Sequence, residues 1–218
     1  PGVEVQGNFL QSQLTPGAQA KIILNNSTIE NAVCGIVTRA TDNSGNIFPG
    51  SAGGIILAKN SNFINCQRAA KITAYRNFNP STNQTIGNLS YFKNCTFELN
   101  NNLHSSLTPE DFVLMARVQN IRFFGCDFID SRTNYGITRP DGIVAFDSKI
   151  LVKGYCNSLQ INPNPCPDFR PTTFTNLNYG IKASNALSLT NNVVVDNCVF
   201  THNWRDIYLR NADNSVIT

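Results

Sequence analysis

Apolar residues in this chain recur in short alternating runs, and the runs come in pairs around a polar dipeptide. Ile22 and Leu24 lead through Asn25 and Asn26 to Ser27 and Ile29. Ile121 and Phe123 lead to Cys126 and Phe128, and Val193 and Val195 lead to Cys198 and Phe200. A period of two puts alternate side chains on one face of a strand, so each pair reads as two half-buried strands joined by a tight turn. Ile56 with Ala58 before Phe63, and Ser90 with Phe92 before Phe97, are looser copies, and Phe174 anchors a copy that lacks the Asn-Cys/Ser lead-in. The anchors Ile29, Phe63, Phe97, Phe128, Phe174 and Phe200 lie 26 to 46 residues apart, the excess over the shortest interval being loop insertions.

The match continues downstream. Asn31, Asn65, Asp130, Asn176 and His202 stand two places after the anchor, and Ile36, Ala70, Ile181 and Ile207 seven places after it, often behind Gly or Ala. A third short strand follows from this in each repeat. Without helical periodicity between the strands, successive repeats must stack strand on strand, which predicts an all-β fold: a parallel β-helix solenoid of about six coils. The whole chain, 1–218, reads as one such domain, with residues 1–20 as a lead-in and 154–171 as a Pro/Asn/Cys loop insertion. In the fourth coil both Gly136-Ile137 and Gly142-Ile143 offer a third strand; Gly142 to Phe146 is preferred, with Lys149 to Lys153 as its exit. Asn26, Asn60, Asn94 and Asn197 fall at the tight turn, where side-chain amides could form a ladder from coil to coil. Pro1 and the strand-like end at Val216-Ile217 suggest a piece of a longer chain.

Composition sharpens this reading. Asparagine supplies 31 of 218 residues, and because Asn tolerates left-handed backbone the number predicts many similar turns. The net charge of +3 argues for neither nucleic acid nor a membrane surface as partner, and no run of about 18 apolar residues suggests membrane insertion. Cys95, Cys126 and Cys198 share the position of Ser27 and Ser61, two before the anchor, so they read as small core residues. Cys34 and Cys66 receive no assignment. Cys156 and Cys166 flank a Pro-rich loop with little core of its own, where a disulfide would serve as a staple and imply an oxidising compartment. No Cys-x-x-Cys with a nearby His suggests a metal site.

The Asn-Ser/Cys-x-Ile/Phe-x-Asn and Gly-Ile elements resemble the right-handed parallel β-helix, or pectin-lyase-like, superfamily over nearly the whole chain. The Asn-Cys-x-Phe variant looks most like repeats of large secreted bacterial surface proteins. The resemblance bears on fold more than activity, since the superfamily includes lyases, hydrolases, epimerases, phage tailspikes and non-catalytic surface proteins. It implies that function lies on the outward face of the third strand. There Arg39, Lys71, Tyr75, Arg117, Lys182, Tyr208 and Arg210, with Val37, Thr73 and Ser184, would form a basic and aromatic groove suited to carboxylates, sulfates and sugar faces.

The expected function is a rigid structural or glycan- and surface-binding module, secreted or at the cell surface, with a polysaccharide or cell-surface component and the rest of its own chain as partners. The alternative is a polysaccharide lyase on an acidic polymer, with Lys71 or Lys182 as base beside Arg39. Calcium enters as a cofactor only in that reading. Asp111, Asp141, Asp147 and Asp206 are the carboxylates a hydrolase could pair. Asp141 sits in a turn, however, and Asp206 replaces the small residue before a strand. His104 reads as a loop residue, and Trp204 beside His202 as turn packing.

Overall fold

The computed structural model describes residues 2–39, 50–133, 138–157, 166–186, 192–212 and 214–218. Every regular element among them is a strand, in three long parallel sheets and one antiparallel ribbon. The first sheet takes Lys21–Asn25, Ile55–Lys59, Tyr91–Lys93, Ile121–Phe124, Ile150–Lys153, Val193–Asp196 and Val216–Ile217. The second takes Thr28–Glu30, Asn62–Ile64, Thr96–Leu99, Asp127–Asp130, Thr172–Thr175 and Cys198–Thr201. The third takes Val3–Glu4, Cys34–Val37, Arg68–Ile72, Asp111–Ala116, Asp141–Phe146, Tyr179–Ser184 and Arg205–Arg210. The chain visits the sheets in one fixed order, each coil adding a strand to each, an arrangement consistent with an all-β solenoid.

The anchors meet in register, Ile29 against Phe63 and then Phe97, Phe128, Phe174 and Phe200 in succession. The five rings stack nearly face to face at centroid separations of 4.9, 4.5, 4.8 and 4.8 Å. Phe92 and Phe123 form a second stack at 5.2 Å, set edge-on to the first at 5.5 and 5.8 Å. The two columns fill the space between the sheets.

The position two before the anchor has a specific task. Its side chain donates to the last carbonyl of the preceding strand: Ser61 Oγ to Lys59 O at 2.8 Å, Cys95 Sγ to Lys93 O at 3.4 Å, Cys126 Sγ to Phe124 O at 3.6 Å and Cys198 Sγ to Asp196 O at 3.5 Å. A small side chain with one donor fits there, which is why Ser and Cys interchange. Burial raises the Cys126 thiol well above its usual range and pushes Cys198 up to about 12, as inert core thiols require.

The fifth coil differs from the sequence reading. Ile150–Lys153 is not an exit from the fourth coil; it is the first strand of the fifth, paired with Ile121–Phe124 and Val193–Asp196. The insertion therefore sits at the tight turn itself and splits the motif. Thr172 takes the Ser/Cys position, fully buried, and donates from Oγ1 to Lys153 O at 2.7 Å across the insertion. Cys156 and Cys166 are joined by a disulfide within the insertion, beside the ribbon of Tyr155–Cys156 and Phe169–Arg170. Arg170 hydrogen-bonds Asn94 and Asp127, and Lys93 Nζ lies 4.0 Å from the Tyr155 ring centroid, so the insertion folds back on its own stack. The preferred third strand of the fourth coil is present as Asp141–Phe146, whereas Gly136-Ile137 lies outside the described residues.

Asparagine serves the corners through its backbone. Asn26, Asn60, Asn94 and Asn197, with Gly125, have φ of 50° to 56° at the first corner, and Asn31, Asn65, Asn176 and His202 have φ of 53° to 61° at the second. The third corner uses Arg117, Asp147 and Asn211 at 53°, 47° and 54°. Of the four ladder candidates, Asn26, Asn60 and Asn197 are exposed, and Asn94 Nδ2 donates a hydrogen bond to Asn60 Oδ1 at 2.8 Å. Asn197 Nδ2 instead donates to Asp196. The lead-in adds Val3–Glu4 to the third sheet and buries Ser12 and Gln13 against the loop that follows Ile72.

Phe97→Ala removes the middle of the first ring column and is expected to destabilise by about 3 to 5 kcal/mol in urea unfolding. Thr172→Ala removes the hydroxyl that donates to Lys153 O at 2.7 Å and accepts the Cys126 amide at 3.2 Å, and should cost about 1 to 3 kcal/mol, whereas Thr172→Ser should stay close to wild type.

Candidate functional site

The outer face of the third sheet is set by strand register. One row runs Val37, Lys71, Leu114, Val144, Lys182, Tyr208 from the first coil to the sixth. A second runs Ala116, Phe146, Ser184, Arg210. Arg39, Lys71 and Arg117 line one cleft of about 350 Å³ over Leu114, Ala116 and Phe146, with Asp147 at its side. Two smaller hollows, of about 260 and 180 Å³, share Arg117 with Asp147 and Arg39 with Ala74 respectively, extending the cleft into a trough.

Three of the seven binding residues expected from sequence are thus brought together. Lys182, Tyr208 and Arg210 lie on the same face but beyond the apolar strip of Leu114, Val144 and Phe146; Lys182 is three strand spacings, roughly 14 Å, from Lys71. Tyr75 does not point outward. Its side chain is 4 % exposed and belongs to the core, with the hydroxyl donating to Gln11 O at 2.6 Å. The regular strand ends at Ile72, and Tyr75 pairs with Val118, the inward residue just after the left-handed corner at Arg117. Alternation counted on from Lys71 therefore fails at the corner. Burial pushes the Tyr75 hydroxyl up to about 12. Thr73, also expected outward, is buried against Thr38.

The cations differ in how they are held. Arg117 lies 3.8 Å from Asp147 with its side chain 64 % exposed. Among the described residues no carboxylate pairs with Arg39 or Lys71. Burial lowers the Arg39 guanidinium from its usual value without discharging it. The cleft therefore presents positive charge over an apolar floor, a surface that attracts an anion carrying a hydrophobic face.

Of the four candidate carboxylates, Asp111 and Asp141 are direct neighbours on adjacent strands. Their roughly 4.8 Å strand spacing is near the separation used by two-carboxylate glycosidases, but both are engaged. Arg68 holds Asp111 through two bonds of 2.6 and 2.9 Å, and Asp141 accepts Asn178 Nδ2 at 2.8 Å and lies 3.7 Å from Lys182 Nζ. Asp147 accepts the Ala186 amide at 2.8 Å, and Asp206 accepts Asn203 Nδ2 at 3.1 Å. His104 is an exposed loop residue bonded to Ser106. Among the described residues no group of three or more His, Cys, Asp and Glu side chains is placed to hold a metal.

Fold and site together define an all-β, parallel-stranded repeat protein with a cationic trough across one sheet. No family model, curated protein or solved structure matches the chain.

Burial raises the Asp141 carboxyl above its usual value, with Asp111 adding to the shift and Asn178 and Lys182 opposing it. The folded state thus favours the protonated form, a contribution complete below the unfolded carboxylate range and lost as pH rises through the folded value. Asp141→Asn is accordingly expected to raise the urea midpoint at pH 7 relative to wild type, with the gain disappearing at pH 3.

Proposed function

We propose that the chain is a segment of an extracellular right-handed parallel β-helix, of the pectin-lyase-like kind, that binds an acidic polysaccharide along the outer face of its third sheet without chemical turnover. The observation that carries this reading is the convergence of Arg39, Lys71 and Arg117 on one cleft over Leu114, Ala116 and Phe146. Guanidinium and ammonium groups recognise carboxylates and sulfates, while an apolar floor suits the C–H face of a sugar ring. The Cys156–Cys166 disulfide supports a secreted or cell-surface location. Repeated coils with a rigid ring column suit a spacer that displays such a surface.

A lyase is the second reading, favoured by Lys71 and Arg39 sharing the cleft, where one could remove a proton while the other neutralises the uronate. Lys182 does not join them, being roughly 14 Å away along the stack and beside Asp141.

Calorimetric titration with polygalacturonate is expected to show saturable binding that weakens as salt rises. Lys71→Ala and Arg39→Ala should each lower affinity by roughly tenfold or more, the effect of one charged contact. No rise in ultraviolet absorbance from unsaturated product is expected on prolonged incubation. Steady product formation abolished by Lys71→Ala would establish the lyase instead, and absence of saturable binding would remove both.

A further inference from the structure

We propose that Tyr179, Trp204 and Tyr208, with Arg205 set among them, form a ring-stacking platform that holds a second part of the same acidic polysaccharide; this rests on the binding reading above. Turn packing would bury the indole, yet Trp204 is 62 % exposed. Tyr179 meets it edge to face at 5.5 Å and meets Tyr208 at 5.7 Å, so the three rings are held together with Trp204 left open to solvent. The Arg205 guanidinium lies 4.4 Å from the Trp204 ring centroid and 5.7 and 5.8 Å from those of Tyr179 and Tyr208, and Lys182 Nζ lies 4.9 Å from Tyr179.

Charge selects the occupant. Lys182 is shared with Asp141, and Asp206 is turned to Asn203, while among the described residues Arg205 and Arg210 have no carboxylate partner. Exposed aromatic faces take the C–H side of a pyranose, and the unpaired guanidinium groups take its carboxylate or sulfate. A neutral sugar would leave Arg205 unused.

Placement joins the platform to the trough. Tyr208 is in register with Lys182, and the same row continues over Val144 and Leu114 to Lys71. Four strand spacings, roughly 19 Å, separate Lys71 from Tyr208. Between them Val144 is buried, and Phe146 at 42 % exposure with the part-exposed Leu114 supplies the apolar surface on which a sugar chain can lie. An extended polysaccharide crossing the strands would therefore be gripped at both the trough and the platform, and a chain too short to bridge them would gain from one of them only.

The chain contains a single tryptophan, so its fluorescence reports on this platform alone. Titration with a galacturonic acid hexamer is expected to shift Trp204 emission saturably, with a midpoint matching the calorimetric one, while a cellulose hexamer leaves it unchanged. Arg205→Ala, which retains the fluorophore, should weaken the emission-detected affinity roughly tenfold. An emission spectrum unmoved at calorimetric saturation would overturn the platform and leave the trough standing. An emission titration that persists undiminished in Lys71→Ala would support the platform and overturn the trough. Absence of both heat and emission change would overturn the two together.

Discussion

The stacking of like rings at the spacing of parallel strands is the constraint on which the other features depend. In-register strands place equivalent residues roughly 4.8 Å apart, a distance at which aromatic rings can stack in contact. The separations of 4.5 to 4.9 Å from Phe63 to Phe200 show both conditions met by the same atoms. A slip of one residue in any coil would turn its anchor outward and break the column, so the rings enforce register on all three sheets at once. Interior positions are consequently uniform, and variation is left to corners, loops and outward faces.

The corners show where that uniformity is relaxed. A left-handed backbone is unfavourable for most residues and tolerable for Asn, which accounts for asparagine at most of the positive-φ positions. Among the described residues the exceptions outside glycine are Arg117, Asp147 and His202. Arg117 and Asp147 occupy equivalent corners of adjacent coils, pair with each other and border the trough. His202 lies two residues before Trp204, and its carbonyl accepts Arg139 Nη1 at 3.0 Å. Asp and His share the tolerance of Asn for left-handed backbone, so Arg117, at the border of the trough, is the residue least suited to its corner, which accords with local strain collecting at working surfaces.

Much of the fold was legible because the repeat is written in residues that have only one place to go. Ile22, Leu24, Ser27 and Ile29 alternate inward in sequence and in space, and the same positions marked the second, third, fourth and sixth coils, the fifth being marked by Phe174 and the residues after it. The fifth coil resisted because an insertion falls inside the motif: Ile150, Val152, Thr172 and Phe174 are equivalent to residues that elsewhere are nearly contiguous. Thr172 carried a faint signal, since a small hydroxyl two before a Phe is the Ser/Cys position, but its partner carbonyl at Lys153 lies 19 residues away. The site was legible where strands are straight. Lys71 and Lys182 face outward as period-two counting requires, whereas Tyr75 lies past a corner that resets the count. Trp204 precedes its strand, and no periodicity speaks to its exposure.

Charge on the outer faces divides into two kinds. Arg68 with Asp111, Lys182 with Asp141, Arg117 with Asp147 and Lys153 with Asp196 each join neighbouring coils. Such pairs contribute modestly where exposed and chiefly help align one coil on the next. On the third sheet, Arg39 and Lys71 toward one end and Arg205 and Arg210 at the other are cations that have no carboxylate partner among the described residues. Because these four are not needed to align coils, their arrangement is free to follow a ligand. Their separation along the stack favours a long, repeatedly charged molecule over a compact anion, since a compact one could neutralise only one end.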